Sequence, residues 1–465
     1  MPVVSKRRFR EWMTLLMARF TNPANVTNVE IVRRPDGCLG SADPLIGEAL
    51  LDAVVGWSDW CHRRVDSIHP LQGERGRVRH SIDCTPPPDP RLAYLSNERS
   101  LQGVDEVRGP IVLPLAIVAK GPMRELDALI GDGTPLPLLG MGENVEFAVA
   151  MLEHALRSQG VAVGDSLKEV LYVIVGPSES SADVAAELAT AGRLGDVQFW
   201  QPSELNSEVS DLIRDLGAGF LLSCLLPSEL AGIRQILKIS FHWRIEAETG
   251  GVAPLALQRL RVSFRFRSRL ILLPMMAPSD ARSYHLEFQT PPELTCTGLT
   301  LPKVSGEEWL PSMVDTTGQP VAHVHGTYAR PPGETAFVSL GVSSRGLWTY
   351  ALLSTFLTAV IMWLAIGLPG AKVALMASAD GAAALLLAVP AVFIGLGAGQ
   401  KENALAAWML GPLRLIMLTC ALGLFAVAGS LVGVLHEPWC TVLWWTVALV
   451  SSVSFVLLVI GRYRS

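Results

Sequence analysis

Two regimes of hydrophobic patterning divide the chain near Arg345. Beyond it, apolar stretches at about 347–368, 381–399, 415–435 and 439–460 follow one another with almost no charge. At about 1.5 Å rise per residue, each can cross a hydrocarbon layer of about 30 Å. Pro369-Gly370 stops the first stretch. The pattern predicts an all-α four-helix transmembrane bundle over 346–465, entering and leaving on the same side of the membrane.

Before Arg345 the apolar period switches between that of a strand and that of a helix. Val26 to Ala119 alternates and breaks at turn signals: Val29 and Ile31 share one side of a run ending at Arg34-Pro35-Asp36-Gly37, and Gly109-Pro110 precedes the strand-like Ile111 to Val118. This predicts a β-rich domain over 26–140. Val145, Ala148, Met151, Leu152, Ala155 and Leu156 then recur at helical spacing, and further helical runs at 182–193 and 204–216 complete a helical segment over 141–230. Within it, 170–175 reads equally well as a strand or a helix. As a strand it would make Val173 to Ser178 a phosphate-type β-turn-helix, yet neither G-x-G-x-x-G nor a Walker lysine supports a nucleotide site.

Alternation returns over 231–345, with strands expected at 236–245, 284–289, 321–328 and 336–342. Arg261 to Phe266 reads as another, with Val262, Phe264 and Phe266 inward and Arg261, Arg265 and Arg267 outward. The expected fold class is therefore an α+β soluble region, two β-sandwich-like domains bracketing a helical segment, joined to the transmembrane bundle. At the start, Phe9, Trp12, Met13, Leu16, Met17 and Phe20 among five basic residues make 1–25 a basic amphipathic helix, suited to an anionic membrane surface or to packing on the first β domain.

Charge gives the bundle a direction. Arg345, Lys401, Arg414, Arg462 and Arg464 flank the side shared with the soluble region, and Lys372 lies opposite, so the positive-inside rule places the soluble region and both termini in the cytoplasm of a multi-pass cell-membrane protein. Trp348, Trp363, Trp439, Trp444 and Trp445 are expected as interface anchors, Asp380 as a helix cap at the outer surface, Arg414 as a snorkelling side chain, and Gly429 with Gly433 as a helix-packing pair. The whole chain carries −5 at pH 7 and the soluble region about −7, which argues against nucleic acid as a partner. Seven cysteines without a C-x-x-C pair suit reduced thiols.

Chemistry-bearing motifs are sparse. His323 and His325 share a strand face and are the weak candidates for metal ligands, while Cys61-His62 has no orienting partner in sequence. No G-x-S-x-G, H-E-x-x-H, kinase or EF-hand pattern occurs, so neither catalytic residues nor a cofactor are expected. Ile111 to Ala116 with Pro135 to Leu139, Ile236 to Ser240, Ser283 to Phe288 before Pro291-Pro292, and Gly399 to Asn403 before the third apolar stretch resemble a family of actinobacterial multi-pass membrane proteins. The resemblance implies the same domain order and carries no ligand or catalytic residue. The expectation is a membrane-tethered binding, scaffold or sensory module in contact with the bilayer and with a protein partner or a second copy; a ligand-gated oligomeric pore is the alternative, and a membrane-bound hydrolase using His323 and His325 ranks last.

Overall fold

The computed structural model describes residues 44–71, 75–94, 109–121, 123–244, 252–274, 281–301, 320–326, 335–368, 370, 374–375, 381, 386, 388, 404–431 and 438–464. The expected N-terminal helix, the strand through Val29 and Ile31, and most of the second apolar stretch lie outside them. The described chain divides into two compact units, one over 140–220 and one formed by 44–139 with 221–464.

In the larger unit, α1 (Pro44–Val55) and the single turn α2 (Trp57–Trp60) lead into β1 (Cys61–Pro70), β2 (Arg75–Cys84), β3 (Ile111–Ala119) and β4 (Arg124–Ile130). The smaller unit interrupts it with α3 (Met141–Ser158), α4 (Asp165–Val175), α5 (Ser181–Ala191), the short strands β5 (Arg193–Leu194) and β6 (Val197–Gln198), and α6 (Ser207–Ala218). The larger unit resumes with β7 (Gly219–Leu226), β8 (Gln235–Arg244), α7 (Val252–Ser263), β9 (Arg269–Pro274), β10 (Tyr284–Gln289), β11 (Leu294–Thr300), β12 (Val321–Gly326) and β13 (Thr335–Val342). Three long helices follow: α8 (Leu347–Gly367), α9 (Ala404–Leu431) and α10 (Trp439–Arg464).

The smaller unit matches its amphipathic pattern, and it settles 170–175 as the end of α4, where Leu171, Ile174 and Val175 are buried. Asn206 Oδ1 caps α6 by accepting from Val209 N at 2.8 Å, and Glu143 Oε2 accepts from Gly140 N at 2.9 Å ahead of α3. A side chain at Gly217 would collide with Ala185, so this glycine sets the close approach of α5 and α6.

Strands from the two stretches expected to form separate β domains share one sheet. Its order is β12-β10-β1-β2-β8-β4, with β1 and β10 parallel and the other neighbours antiparallel. The α+β class holds, but 61–130 and 235–326 belong to one unit, because separating them would break the backbone pairing of β1 with β10 and of β2 with β8 and leave unpaired strand edges. A second sheet, β11-β13-β9, contributes to the same core, and β3 pairs with β7. The second correction concerns 261–266. Helix α7 runs to Ser263, and the chain then turns, so Val262 from the last turn of the helix and Phe264 from just beyond it both reach the core. Alternation there records a turn, not a pleat.

One apolar cluster joins sheets and helices. Phe288, Val324, Val338 and Leu340 from the sheets meet Trp348 and Ala351 of α8, Met409, Leu410 and Leu413 of α9, and Leu458 of α10. A second cluster gathers the opposite ends: Met362 and Ala365 of α8, Leu424, Val427 and Leu431 of α9, and Cys440, Trp444 and Ala448 of α10, with Leu386.

Candidate functional site

The place where the sheets meet the long helices is built by α7 and the turn after it. Pro412 sits inside α9 and has no N–H to offer the carbonyl of Trp408, one turn earlier. Arg259 fills that gap: its Nε donates to Trp408 O at 3.1 Å, and Gly411 leaves the room, since a Cβ there would stand 2.8 Å from Arg259 Nη2. One residue on, Ser263 Oγ lies 2.5 Å from Met409 O and 2.8 Å from Arg259 O. Arg269, buried at the start of β9, stacks its guanidinium 3.7 Å from the centre of the Trp408 ring, a desolvated geometry in which cation–π attraction is strong.

The same segment touches the other two long helices. The carbonyl of Phe264 lies so close to α10 that any side chain at Gly461 would collide with it. Arg265 stands 5.7 Å over the ring of Trp348, at the base of α8. Residues 259–269 thus form a clasp that meets α8, α9 and α10 and continues directly into β9. Pro412 inside an apolar run was a signal in the sequence for an orphaned carbonyl, but nothing there named Arg259 as its partner.

The expected interface residues divide by environment. Trp348 is 1% exposed and Trp444 3% exposed, so both are core residues and not lipid-facing anchors; Trp444 Nε1 donates to Ser430 Oγ at 2.9 Å. Trp439, Trp363 and Trp445 are exposed, the last two edge to face at 5.5 Å, with Trp363 Nε1 donating to Ser452 Oγ. Arg345 and Arg462 are exposed at the sheet-side ends of α8 and α10, and Arg464 closes α10. Arg414 lies within α9, which begins at Ala404 and not near 415; its first three turns belong to the shared core, and exposed apolar surface starts at Leu415. Asp380, Lys401 and Gly433 lie outside the described residues. Gly429 is no packing contact among them, because a Cβ there would meet nothing within 4 Å; Gly423 is the close approach, 3.0 Å from Val447 of α10.

The open face of the six-stranded sheet gathers histidines. His285 stands opposite His325 across β10 and β12, its Nδ1 lies 3.0 Å from His323 Nε2, and the three rings stack with centroids 5.2 to 6.2 Å apart. His242 lies elsewhere on the sheet, 3.2 Å from Glu125. Partial burial, together with His323, Arg63 and His325, holds the pKa of His285 below its ordinary value despite Glu287. Among the described residues no three His, Cys, Asp or Glu side chains are placed to share a metal ion.

On the inner face lies a polar group that sequence reasoning missed. Asp66 accepts from Tyr284 Oη at 2.8 Å, lies 2.5 Å from His80 Nδ1 and 3.4 Å from Arg64 Nε, and all four residues are at most 2% exposed. Burial pushes the Asp66 pKa up, but His80, Arg64 and the two hydrogen bonds outweigh it and hold the value at about 2. His80 was legible in the inward alternation Val78, His80, Ile82, Cys84; Asp66 was not, because Val65 beside it is the apolar residue.

Fold and site define an α+β protein with three described helices long and apolar enough to cross a membrane: Leu347–Gly367, Leu405–Leu431 and Trp439–Tyr463. Compared with protein-family models and with curated proteins, the chain matches none.

Proposed function

We propose that this chain is a multi-pass, membrane-tethered binding module with a sensory role, its sheet region on the cytoplasmic side. The observation that carries the reading is the clasp at 259–269, which leads into β9 and meets the three long helices, so that displacement of the sheets by a bound ligand or protein partner is transmitted to the bundle. The histidine-bearing sheet face is the recognition surface in this reading. Helices α8 and α9 both start in the first apolar cluster and end in the second, while α10 runs the other way. The parallel run of α8 and α9 supports the further crossing expected at 381–399. Arg345, Arg414 and Arg462 at the sheet-side ends support the cytoplasmic orientation.

The test is hydrogen–deuterium exchange on the full-length protein in nanodiscs, comparing wild type with Arg259→Gln. Coupled elements respond together: exchange rises in β9 and β13 and also in α8 and α10. A rise confined to the first turns of α9 rejects the transmitting role.

A further inference from the structure

We propose that the outer face of α7 and the turn following it bind the anionic phospholipid headgroups of the membrane crossed by the long helices. The inference rests on the membrane placement of those helices and not on the sensory role. Leu257, Leu260 and Arg261 lie at i, i+3 and i+4 on α7, on the side away from Arg259 and Ser263, and all three are exposed. Beyond the helix end, Arg267 and Leu270 are exposed as well. Exposed leucines interleaved with arginines form the surface of an interfacial segment, apolar enough to enter the acyl boundary and charged enough to stay at it.

The depth of this face follows from the helices beside it. On α9 the outward apolar surface begins at Leu415, four residues and about 6 Å beyond the Gly411 contact with Arg259. On α10 the exposed aliphatic surface ends at Ile460, next to the Gly461 contact with Phe264, and Tyr463 beyond it is an exposed amphipathic ring. The headgroup layer on each side of the hydrocarbon is about 5–7 Å thick, so α7 lies within it. Charge points the same way: between Val252 and Pro274 there are five arginines and no acidic residue, and no acid among the described residues forms an ion pair with Arg261 or Arg267. Arg265 is pushed to a lower pKa chiefly by burial, with a further contribution from the neighbouring Arg462. Phosphodiester anions complement this positive charge, and the neighbouring leucines favour a lipid over a free phosphate.

The experiment uses the full-length protein with an environment-sensitive fluorophore at L260C, at Phe425→Cys in the exposed apolar part of α9, or at Ile233→Cys, which lies beyond the far end of β8, about 30 Å along the strand. In nanodiscs carrying a nitroxide near the lipid headgroup, quenching is expected at Leu260 and not at Ile233, while a nitroxide deep in the chain quenches at Phe425. Equal quenching at Leu260 and Ile233 overturns the proposal; absent quenching at Phe425 overturns the membrane placement and the proposal with it. Short-chain phosphatidylglycerol titrated into detergent-solubilised protein should bind about 25-fold more weakly to R261Q/R267Q, about fivefold for each arginine. An unchanged affinity in that variant, or equal binding of glycerophosphate alone, also overturns it.

Discussion

Replacing Asp66 with asparagine tests the claim that its charge holds the middle of the large sheet. The carboxylate serves Tyr284, His80 and Arg64 together, and none of the four side chains reaches solvent. Asparagine keeps the shape and one acceptor oxygen but presents an amide to groups that need an acceptor, and it removes the negative charge that Arg64 Nε faces at 3.4 Å. Removing one partner of a buried pair costs about 3–5 kcal/mol, which corresponds to a melting temperature lower by on the order of 10 °C. Acid supplies an independent measure. The folded-state pKa of about 2 lies below the ordinary 3.8, so the stabilisation is complete above that ordinary value and is lost as pH falls from about 4 to about 2. A depression of this size is worth roughly 2–3 kcal/mol. Melting of the full-length protein in detergent, followed by near-ultraviolet circular dichroism, should show wild type losing stability over this window and Asp66→Asn starting low with a flatter profile. Tyr284→Phe, which removes one hydroxyl donating to the carboxylate, should cost about 1.5–3 kcal/mol and keep most of the pH dependence, since His80 and Arg64 lower the Asp66 pKa more than this bond does. If Asp66→Asn melts within about 2 °C of wild type with the same acid profile, the buried charge does not hold the sheet.

Gly461→Ala should destabilise by about 1–3 kcal/mol, because the added methyl collides with the carbonyl of Phe264, whereas Gly429→Ala, where a Cβ meets no described atom within 4 Å, should be neutral or slightly stabilising in the same melts. His285 is held below its ordinary pKa, so its contribution is complete above about pH 6.5 and declines as pH falls through that value; His285→Gln should flatten stability between neutral and mildly acidic pH. Impermeant maleimide applied to intact cells should label a cysteine placed at His436 and spare one at Ser465, and strong labelling at Ser465 would reverse the proposed orientation.

The helical middle and the apolar tail were legible because their periods are enforced locally: a buried face every 3.6 residues, or a run long enough for a bilayer. Strand positions such as Tyr284 to Gln289 were equally clear. What stayed hidden depended on partners distant in sequence. Nothing in β1 announces that it pairs with β10 as well as with β2, so one sheet read as two domains. At Arg261 to Phe266 a helix end and a turn mimic a pleat, and at Trp348 an aromatic next to an apolar run is a core residue instead of an anchor. The histidine group was half visible: His323 and His325 share a strand by spacing alone, but His285 joins them only through the register of β10 with β12.

The pairing of β1 with β10 also sets a timetable for synthesis. Ser67 and Glu287, whose side chains meet at 2.7 Å, are 220 residues apart, an interval of roughly 10 to 40 s on the ribosome. Throughout it, Arg64 and Asp66 remain hydrated on a strand with one flank unpaired. Closure waits longer still, because Leu458 and Gly461, which join the apolar cluster and the clasp, are translated well after β10 and β13. A message truncated before α10 therefore yields a chain with all the described strands and an unfinished apolar cluster, open to proteases at the surface that α10 otherwise covers.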